Sequence, residues 1–473
     1  MSLGDAIQLR TEPGSHIPSL PPELLSSIFE TALADFHPFD ANRHVRLTYF
    51  THVCSIWRNV VISTGKLWSS IVCGVLSDDE GVEFSHTFES IGNRVQTALD
   101  RSQGSPIDVY LDSPYADDHL GLIPRVFRQL ILPQSSRIRR LDLNLGSVEK
   151  INGIVPLDYS FPSLSNFVFQ TGYGIRGGGL IRPFPDNFEL PSLKNVTIDS
   201  PFHVSLEGAR VPSLVTFYQE SHPSSLSRVI PLLKRSTGLE KLSMSDNQPN
   251  LFQKSPVSGP TIFPNLRYLA TANPGFGGWL DAPNLVMLDF RHRDLDFDSD
   301  EISYNFGSTL GKLKYVAIST PRWYSEIRLT SIFEALEGAS TLEYLELRSL
   351  NRADILAAVI RLQGGPYSNI VSLCASPRFE SLSFALDLSP GRGGPLIPCL
   401  RLLRLSSNNR GAAPKEEYDK DLRHQIDSLC SLRPKLRTTY GEIVSNGGDV
   451  DQANLDLEHF IEDAERLRSN NRM

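Results

Sequence analysis

Apolar residues near the start of the chain follow the period of an α-helix. Between residues 21 and 33, Leu24 and Ile28 form one row, and Leu25 and Phe29 form a second, each pair four residues apart. Proline is tolerated in a first helical turn, where the missing N–H is not needed. The spacing therefore predicts a helix with apolar side chains on more than one side.

A second helical pattern follows a polar segment. Residues 34–47 are polar and include Pro38, which predicts a surface loop. Residues 66–71 then begin another short apolar element. We therefore expect the first 75 residues or so to form a compact unit of three helices. The second helix is predicted from apolar residues at intervals of three and four, namely Val53, Ile56, Trp57, Val60 and Val61.

A helix and a strand are predicted between this unit and the rest of the chain. Helical spacing runs from Phe88 to Leu99, and a turn-rich segment follows it. Ile107, Val109 and Leu111 then alternate with polar residues, as in a half-buried strand.

One short pattern returns through the remainder of the chain: an apolar residue followed at the third and fifth positions by two more. Its copies start 19 to 30 residues apart, and several follow a Pro-Ser or Pro-Asn turn. No single copy can bury its own apolar face, so only stacked copies produce a core. The eleven copies start at Ile138, Leu164, Leu193, Leu214, Leu239, Leu266, Leu285, Leu313, Leu342, Ile370 and Leu400.

Period and pattern resemble the leucine-rich repeat family over roughly residues 105–410. The resemblance implies one short strand per repeat in a parallel sheet. The family's Asn after the strand occurs here as Asn247 and Asn408, but Gly172, Pro201 or Pro321 replaces it elsewhere. We therefore expect an irregular solenoid with return segments of variable length.

Charge and cysteine content limit the possible environments. The 46 Lys and Arg against 54 Asp and Glu give a net charge of −8, opposite to the basic surface that nucleic-acid phosphates require. The chain has no signal sequence and no run of 18 apolar residues, so we expect no membrane contact. Its five cysteines are odd in number and widely spaced, which suits the reducing cytoplasm or nucleus.

Sequence motifs of enzymes do not occur in the chain. It has no phosphate-binding Gly-x-x-x-x-Gly-Lys-Ser/Thr loop, no His-Glu-x-x-His, no Cys-x-x-Cys and no Gly-x-Ser-x-Gly. The acids at residues 296–301 could bind a cation, but they lack the spacing of a calcium loop, so a solvated return loop is the favoured interpretation. We expect no catalytic residue, cofactor or resident metal. A deep polar pocket with shifted titratable groups would favour an enzyme instead.

Three N-terminal segments, taken in order, resemble an F-box. They are IPSLPPELLSSIFE from Ile17, HVCSIWRNVVIST from His52 and KLWSSI from Lys66. Their position ahead of leucine-rich repeats is similar to the arrangement in F-box proteins of mushroom-forming fungi. The resemblance implies docking onto the Skp-family adaptor of an SCF ubiquitin ligase, which is a cullin-RING complex.

Two surfaces follow from this resemblance. The helical unit has too few residues to bury all its apolar side chains, although Trp57 could fill its core. On the repeat strands, outward-facing Tyr and Met suit contact with an unknown target protein, although strand preference also explains tyrosine there. The expected adaptor contacts are Leu20, Pro21, Leu24, Leu25, Ile28, Phe29, Val53, Cys54 and Trp57, and the expected target contacts are Lys241, Tyr268, Met287, Tyr315 and Tyr344.

The sequence thus predicts an α/β protein that is a monomer within a larger complex. Its expected function is a non-catalytic substrate receptor, and the alternative is a repeat scaffold or regulator without ubiquitin transfer. A C-terminal helix is predicted from Leu457 to Ala464. The expected parts are a flexible N-terminus (1–14), an F-box (15–75), a helical linker or N-terminal cap (76–104), a leucine-rich-repeat-like solenoid (105–410), and a C-terminal loop and helical cap (411–473).

Overall fold

The computed structural model of the chain divides into two compact units. The first comprises residues 1–113 and 120–141, and the second comprises residues 114–119 and 142–473. The predicted N-terminal segment 1–14 and the predicted helix at 457–464 lie outside the described residues. The structure describes residues 20–34, 36, 41–74, 88–113, 122–145, 159–171, 180–184, 188–200, 203–206, 208–220, 226–244, 261–271, 280–291, 307–319, 336, 339, 341–342, 344–348, 372–375, 402–405, 437–440 and 443–445.

The first unit begins with three helices: α1 (Pro22–Ala32), α2 (Ala41–Val53) and α3 (Ser55–Ser63). The predicted first helix is confirmed. The predicted loop over residues 34–47 is wrong from Ala41 onward, because the chain is helical there. Most side chains of this helix are polar, but one side of it is apolar. On that side Leu47 is buried in the core of the first unit, and Phe50 packs against that core.

The boundary between α2 and α3 lies at Cys54, within the segment predicted as one continuous helix. Cys54 has an extended backbone, and its Sγ accepts a hydrogen bond from the N–H of Trp57 at 3.5 Å. Arg58 Nε donates to the carbonyl of Thr51 at 2.9 Å, which joins α3 to the last turn of α2. The break therefore changes the chain direction while retaining side-chain contacts across it.

Aromatic side chains hold the three helices together. The ring centroid of Phe29 lies 4.9 Å from that of Phe50, in a stacked arrangement, and 4.9 Å from that of Trp57, edge to face. Such pairs are favourable beyond the area they bury. The buried members of this core are Leu25, Phe29, Leu33, Leu47, Val60, Val61, Leu67 and Trp68, and Phe36, Phe50 and Trp57 pack against them.

The predicted third helix at 66–71 is instead a 3-10 turn followed by a strand. The turn spans Gly65–Trp68, and β1 spans Ser70–Gly74 with every residue buried. A Cβ at Gly65 would lie 2.5 Å from the carbonyl oxygen of Ser102, so only glycine fits this close approach. Burial on both faces explains why β1 lacks the alternation that marks a half-buried strand.

The remaining elements of the first unit confirm the predicted helix and strand. They are α4 (Phe88–Arg101) and β2 (Ile107–Ser113), and β2 pairs in parallel with β1. A helical stretch that the sequence did not predict follows, from α5 (Leu122–Val126) through a π-helical turn to a 3-10 turn. Then β3 (Ile138–Leu145) begins beside β2. Among the described helices, none has the length and apolar character of a membrane span.

The second unit is built from short strands, together with α6 (Leu226–Arg235) and a 3-10 turn at Gly307–Lys312. The strands are β4 (Asn166–Gln170), β5 (Leu180–Ile181), β6 (Asn195–Asp199), β7 (His203–Val204), β8 (Thr216–Glu220), β9 (Lys241–Met244), β10 (Thr261–Ile262), β11 (Tyr268–Thr271), β12 (Leu280–Asp281), β13 (Met287–Arg291), β14 (Tyr315–Ser319), β15 (Tyr344–Arg348), β16 (Ser372–Ala375), β17 (Leu402–Leu405), β18 (Arg437–Tyr440) and β19 (Ile443–Ser445).

Most of these strands belong to one long sheet, which makes the fold α/β with a parallel repeat. In this unit the sheet order is β4-β6-β8-β9-β11-β13-β14-β15-β16-β17-β18-β19. Pairing is parallel up to β18, and β19 is antiparallel to β18. Every predicted copy contains a strand, so the parallel-sheet prediction is confirmed. The middle apolar positions align across neighbouring strands and are buried: Phe167, Val196, Phe217, Leu242, Leu269, Leu288, Val316 and Leu345.

The same tight turn precedes each strand of the long sheet from β4 to β15. The first leucine of each copy donates its N–H to the carbonyl three residues earlier, as Leu193 does to Leu190 at 3.2 Å. Side chains then link successive turns: Asn265 Nδ2 donates to the Thr237 carbonyl at 3.0 Å, and Asn284 Nδ2 to the Pro264 carbonyl at 2.7 Å. We call these side-chain links between turns the turn ladder.

Candidate functional site

Exposed large apolar side chains are concentrated in the first three helices. Of the eight found among the described residues, seven belong to residues 20–56 and the other is Ile262. Their exposed fractions range from 44% to 66%. Large exposed apolar patches on proteins are typical of contact sites for other proteins, membranes or ligands. We call the seven the helical apolar surface: Leu20, Leu24, Ile28, Val45, Tyr49, Val53 and Ile56.

The two apolar rows of α1 have opposite environments. Leu24 and Ile28 are 53% and 47% exposed, whereas Leu25 and Phe29 are 4% and 1% exposed. Adjacent helical residues differ by about 100° in direction, so one row faces the core while the other faces outward. The outward row is therefore the part of α1 that a partner can reach.

The other predicted adaptor contacts divide in the same way. Leu20, Pro21, Val53 and Cys54 are exposed, whereas Trp57 is half-buried against the core. Buried side chains such as Leu25 and Phe29 position the exposed row but offer no surface to a partner. The accessible members of the predicted set are thus Leu20, Pro21, Leu24, Ile28, Val53 and Cys54.

Three members of the helical apolar surface were not predicted as contacts. Val45 and Tyr49 lie on α2, four residues apart and in line with Val53, and Ile56 lies on α3. The spacing of Val45, Tyr49 and Val53 was the available signal. The loop predicted over residues 34–47 includes Val45 and so interrupts this spacing.

Polar contacts hold α1 in place beneath its exposed row. Ser26 Oγ donates to Thr64 Oγ1 at 3.3 Å, at the end of α3. Lys66 Nζ lies 2.5 Å from Glu30 Oε2, just beyond α3 in sequence. These contacts, together with Phe29 in the core, orient Leu24 and Ile28 outward.

The column of predicted target contacts is aligned but not exposed. Tyr268, Met287 and Tyr315 lie in register on β11, β13 and β14, and they are 7%, 2% and 4% exposed. They pack together with the small side chains of Ala270 and Ala317. Close packing on these alanines replaces the outward exposure that the sequence predicted. The burial removes these three side chains from any free surface.

The remaining column positions are more polar or lie outside the described side chains. Lys241 is half-buried at the start of β9, and the side chain of Tyr344 is outside the described set. Tyr268 Oη donates to Asp289 Oδ2 at 3.4 Å. The same register position continues through Thr216 to Asn195 and Asn166 on β6 and β4, where Asn195 Nδ2 donates to Asn166 Oδ1 at 2.7 Å. The column therefore acts as internal structure over most of its length.

Reactive side chains in the described part of the chain include a buried thiol and residues of the types that bind metals. Burial raises the pKa of the Cys73 thiol to about 12, so this thiol is a poor nucleophile. Within the described ranges, no three His, Cys, Asp or Glu side chains are grouped to hold a metal ion. Comparison with known proteins gives no match, either to a family model or to a curated protein.

Proposed function

We propose that the chain is an F-box substrate receptor of an SCF-type ubiquitin ligase. The first three helices dock a Skp-family adaptor, and the repeat unit, which is leucine-rich-repeat-like, holds a target protein. The observation that carries the proposal is the concentration of exposed apolar side chains on α1, α2 and α3. Its sequence support is the order of the three F-box-like segments ahead of the repeats.

The energetic argument concerns the outward row of α1. Burying one leucine or isoleucine side chain contributes about 1.5–3 kcal/mol. Leu24 and Ile28 lie one turn apart on α1 and form a stripe, and the exposed Leu20 lies just before the helix begins. A stripe of this kind suits insertion into an apolar groove of a partner. The exposed row of α2 adds area for the same partner.

Proximity is the mechanism in this proposal. The receptor holds a target lysine near the ubiquitin thioester of a conjugating enzyme within the cullin-RING ligase. Bringing two reactants together raises their effective concentration, so no residue of this chain forms a covalent bond. The chain needs no metal or cofactor for this role, and it works in the cytoplasm or nucleus as one subunit of the complex.

The proposal is tested by binding of the intact chain to a purified Skp-family adaptor, measured by calorimetry. A Leu24→Asp, Ile28→Asp double variant is expected to bind at least about 100-fold more weakly, because two apolar contacts become buried charges. Ile262→Asp is the matched control, since it places the same charge on an exposed apolar residue of the second unit. Circular dichroism checks that each variant is folded.

Two outcomes would contradict the proposal. One is a well-folded parent chain that shows no adaptor binding. The other is a folded double variant that binds as tightly as the Ile262→Asp control. If the adaptor binds but no cullin complex is recovered with the chain, the scaffold without ubiquitin transfer replaces the receptor.

A further inference from the structure

A small cavity opens beside three successive turns of the second unit. Its volume is about 460 Å³. Its walls combine apolar and charged side chains, so it differs from the wholly apolar surface of the first unit. The lining residues are Glu189, Pro191, Arg210, Val211, Pro212 and Arg235.

The charged lining residues occupy one repeated position. Each turn is closed by a leucine N–H donating to the carbonyl three residues earlier, and those carbonyls belong to Leu190, Val211, Ser236, Phe263 and Ala282 in successive copies. The residue before each carbonyl defines what we call the entry column. Its members are Glu189, Arg210, Arg235, Ile262 and Asp281.

Backbone pairing places neighbouring members of the entry column side by side. Glu189 and Arg210 form a parallel bridge, and the N–H of Arg210 donates to the Phe188 carbonyl at 2.8 Å. Ile262 pairs in the same way with Asp281 through β10 and β12. Paired parallel strands lie about 4.8 Å apart, so the side chains of each pair are adjacent. Arg235 ends α6 and is placed beside Glu189 and Arg210 by the cavity that all three residues line.

The positive charge of the arginines in this cavity exceeds the negative charge of its one carboxylate. The Arg210 and Glu189 side chains are 3.3 Å apart but are 63% and 69% exposed, and exposed ion pairs of this kind contribute little. Arg235 is exposed, and it makes no hydrogen bond or ion pair with the residues that the structure describes. Two guanidinium groups and one carboxylate give the cavity a net charge of +1.

We propose that this cavity binds an acidic side chain of an extended peptide segment from a partner protein. One carboxylate neutralises the net charge and accepts hydrogen bonds from the guanidinium groups of Arg235 and Arg210. Pro191, Val211 and Pro212 line the same cavity and give this contact an apolar side. Ile262 is the next member of the entry column and is 64% exposed, so an apolar residue of the peptide packs there.

The inference extends the target-holding part of the proposed function by naming a class of target segment. Arg235 has another favourable role, because cations stabilise the C-terminal end of a helix and Arg235 ends α6. Lys234 shares that last turn but does not line the cavity. Lys234→Gln is therefore a matched control for Arg235→Gln.

The test titrates the intact chain, labelled with ¹⁵N-arginine, with three short peptides. The peptides carry leucine beside glutamate, glutamine or phosphoserine. The glutamate peptide is expected to shift the Nε–H resonances of Arg210 and Arg235, which are assigned by their loss in lysine variants. The glutamine peptide is expected to leave both resonances unmoved.

Variants separate binding from a structural role. Arg235→Gln is expected to weaken binding of the glutamate peptide about fivefold, and Lys234→Gln to change it less than about twofold. Glu189→Gln is expected to tighten binding about threefold, because it removes the carboxylate that competes for Arg210. A purely structural Glu189 would not produce this gain.

Three results would overturn the inference. They are equal binding of the glutamate and glutamine peptides, no gain from Glu189→Gln, and binding of the phosphoserine peptide alone. The last would assign the cavity to phosphate rather than to a carboxylate. The Leu24→Asp, Ile28→Asp variant is expected to bind the peptide like the parent, so adaptor docking and peptide binding can fail separately.

Discussion

Arg139 on β3 donates two hydrogen bonds to the carboxylate of Asp108 on β2. Arg139 Nε donates to Oδ1 at 3.0 Å, and one terminal nitrogen donates to Oδ2 at 2.6 Å. The side chain of Asp108 is 11% exposed, whereas that of Arg139 is 53% exposed. The hydrogen bonds to Asp108 raise the pKa of Arg139. The pair fixes the alignment of the two strands.

Loss of the Arg139–Asp108 hydrogen bonds is expected to increase local opening of β2. Arg139→Gln leaves a nearly buried carboxylate with poorer partners, which costs about 1–2 kcal/mol once the exposure of the arginine is allowed for. Hydrogen exchange of the β2 amides measures the change as faster exchange. A double-mutant cycle with Asp108→Asn isolates the pair, and strictly additive effects would show that the two side chains are not coupled.

Neighbouring residues on α1 are expected to differ sharply in their effect on stability. Phe29→Ala removes a ring from the centre of the helical core and costs about 3–5 kcal/mol. Ile28→Ala truncates an exposed side chain and costs less than about 0.5 kcal/mol. Thermal unfolding followed by circular dichroism compares the two. Similar losses of stability for the two variants would contradict the burial of Phe29 and the exposure of Ile28 on α1.

The two described cysteines are expected to react differently. Cys54 is exposed, whereas Cys73 is buried and its Sγ donates to the Ile123 carbonyl at 3.8 Å. Iodoacetamide at pH 8, followed by peptide mapping, is expected to label Cys54 in the folded chain and Cys73 only after denaturation. Equal labelling rates would contradict the burial of Cys73.

The same thiol gives stability a dependence on alkaline pH. The pKa of Cys73 is raised from 9.0 to about 12 by burial, so only the unfolded chain loses this proton in that interval. Stability from this group is therefore complete below pH 9.0 and decreases as the pH rises toward 12. Chemical denaturation of Cys73→Ala across this range is expected to show a smaller decrease than the parent. An identical decrease would assign the effect to other groups.

Asn284 offers a test of the turn ladder. Its Nδ2 donates to the Pro264 carbonyl, and its Oδ1 accepts from Lys312 Nζ, both at 2.7 Å. Asn284→Asp removes the donor while keeping the acceptor, and it is expected to cost about 0.5–1.5 kcal/mol. Hydrogen exchange of the β13 amides measures the loss. Lys312→Met removes the hydrogen bond from Lys312 to Asn284. If it destabilises β13 more than Asn284→Asp does, the Lys312 bond contributes more to stability than the bond to the Pro264 carbonyl.

Strands of the second unit could be predicted because their pattern is local. A turn residue, a leucine and alternating apolar positions suffice to set a strand beside its neighbour, as at Leu193 before β6 and Leu214 before β8. The helix α2 could not be predicted in this way. Of the described α2 side chains, Leu47 and Phe50 belong to the core, and the polar residues around them obscure the helical pattern.

Which apolar residues remain exposed depends on tertiary packing. The sequence places Leu24 beside Leu25, but only the docking of Phe29 against Phe50 and Trp57 decides which row faces inward. The burial of Tyr268 and Tyr315 is a similar case. Their strand positions were correct, whereas the packing on Ala270 and Ala317 depends on residues from several strands at once.

Neighbouring copies of the repeat contact each other through their turns and strands, so the segment between one strand and the next turn can vary in length. Successive copies are separated by as few as 19 residues, between Leu266 and Leu285, and by as many as 30, between Ile370 and Leu400. Successive copies among the described residues contact each other through the same kind of turn and strand pairing. A gene duplication or deletion of one whole copy would therefore leave the adjoining copies with a contact of that same kind. Such a chain can lengthen or shorten during evolution, and it can renew one side chain of its entry column with each copy gained or lost.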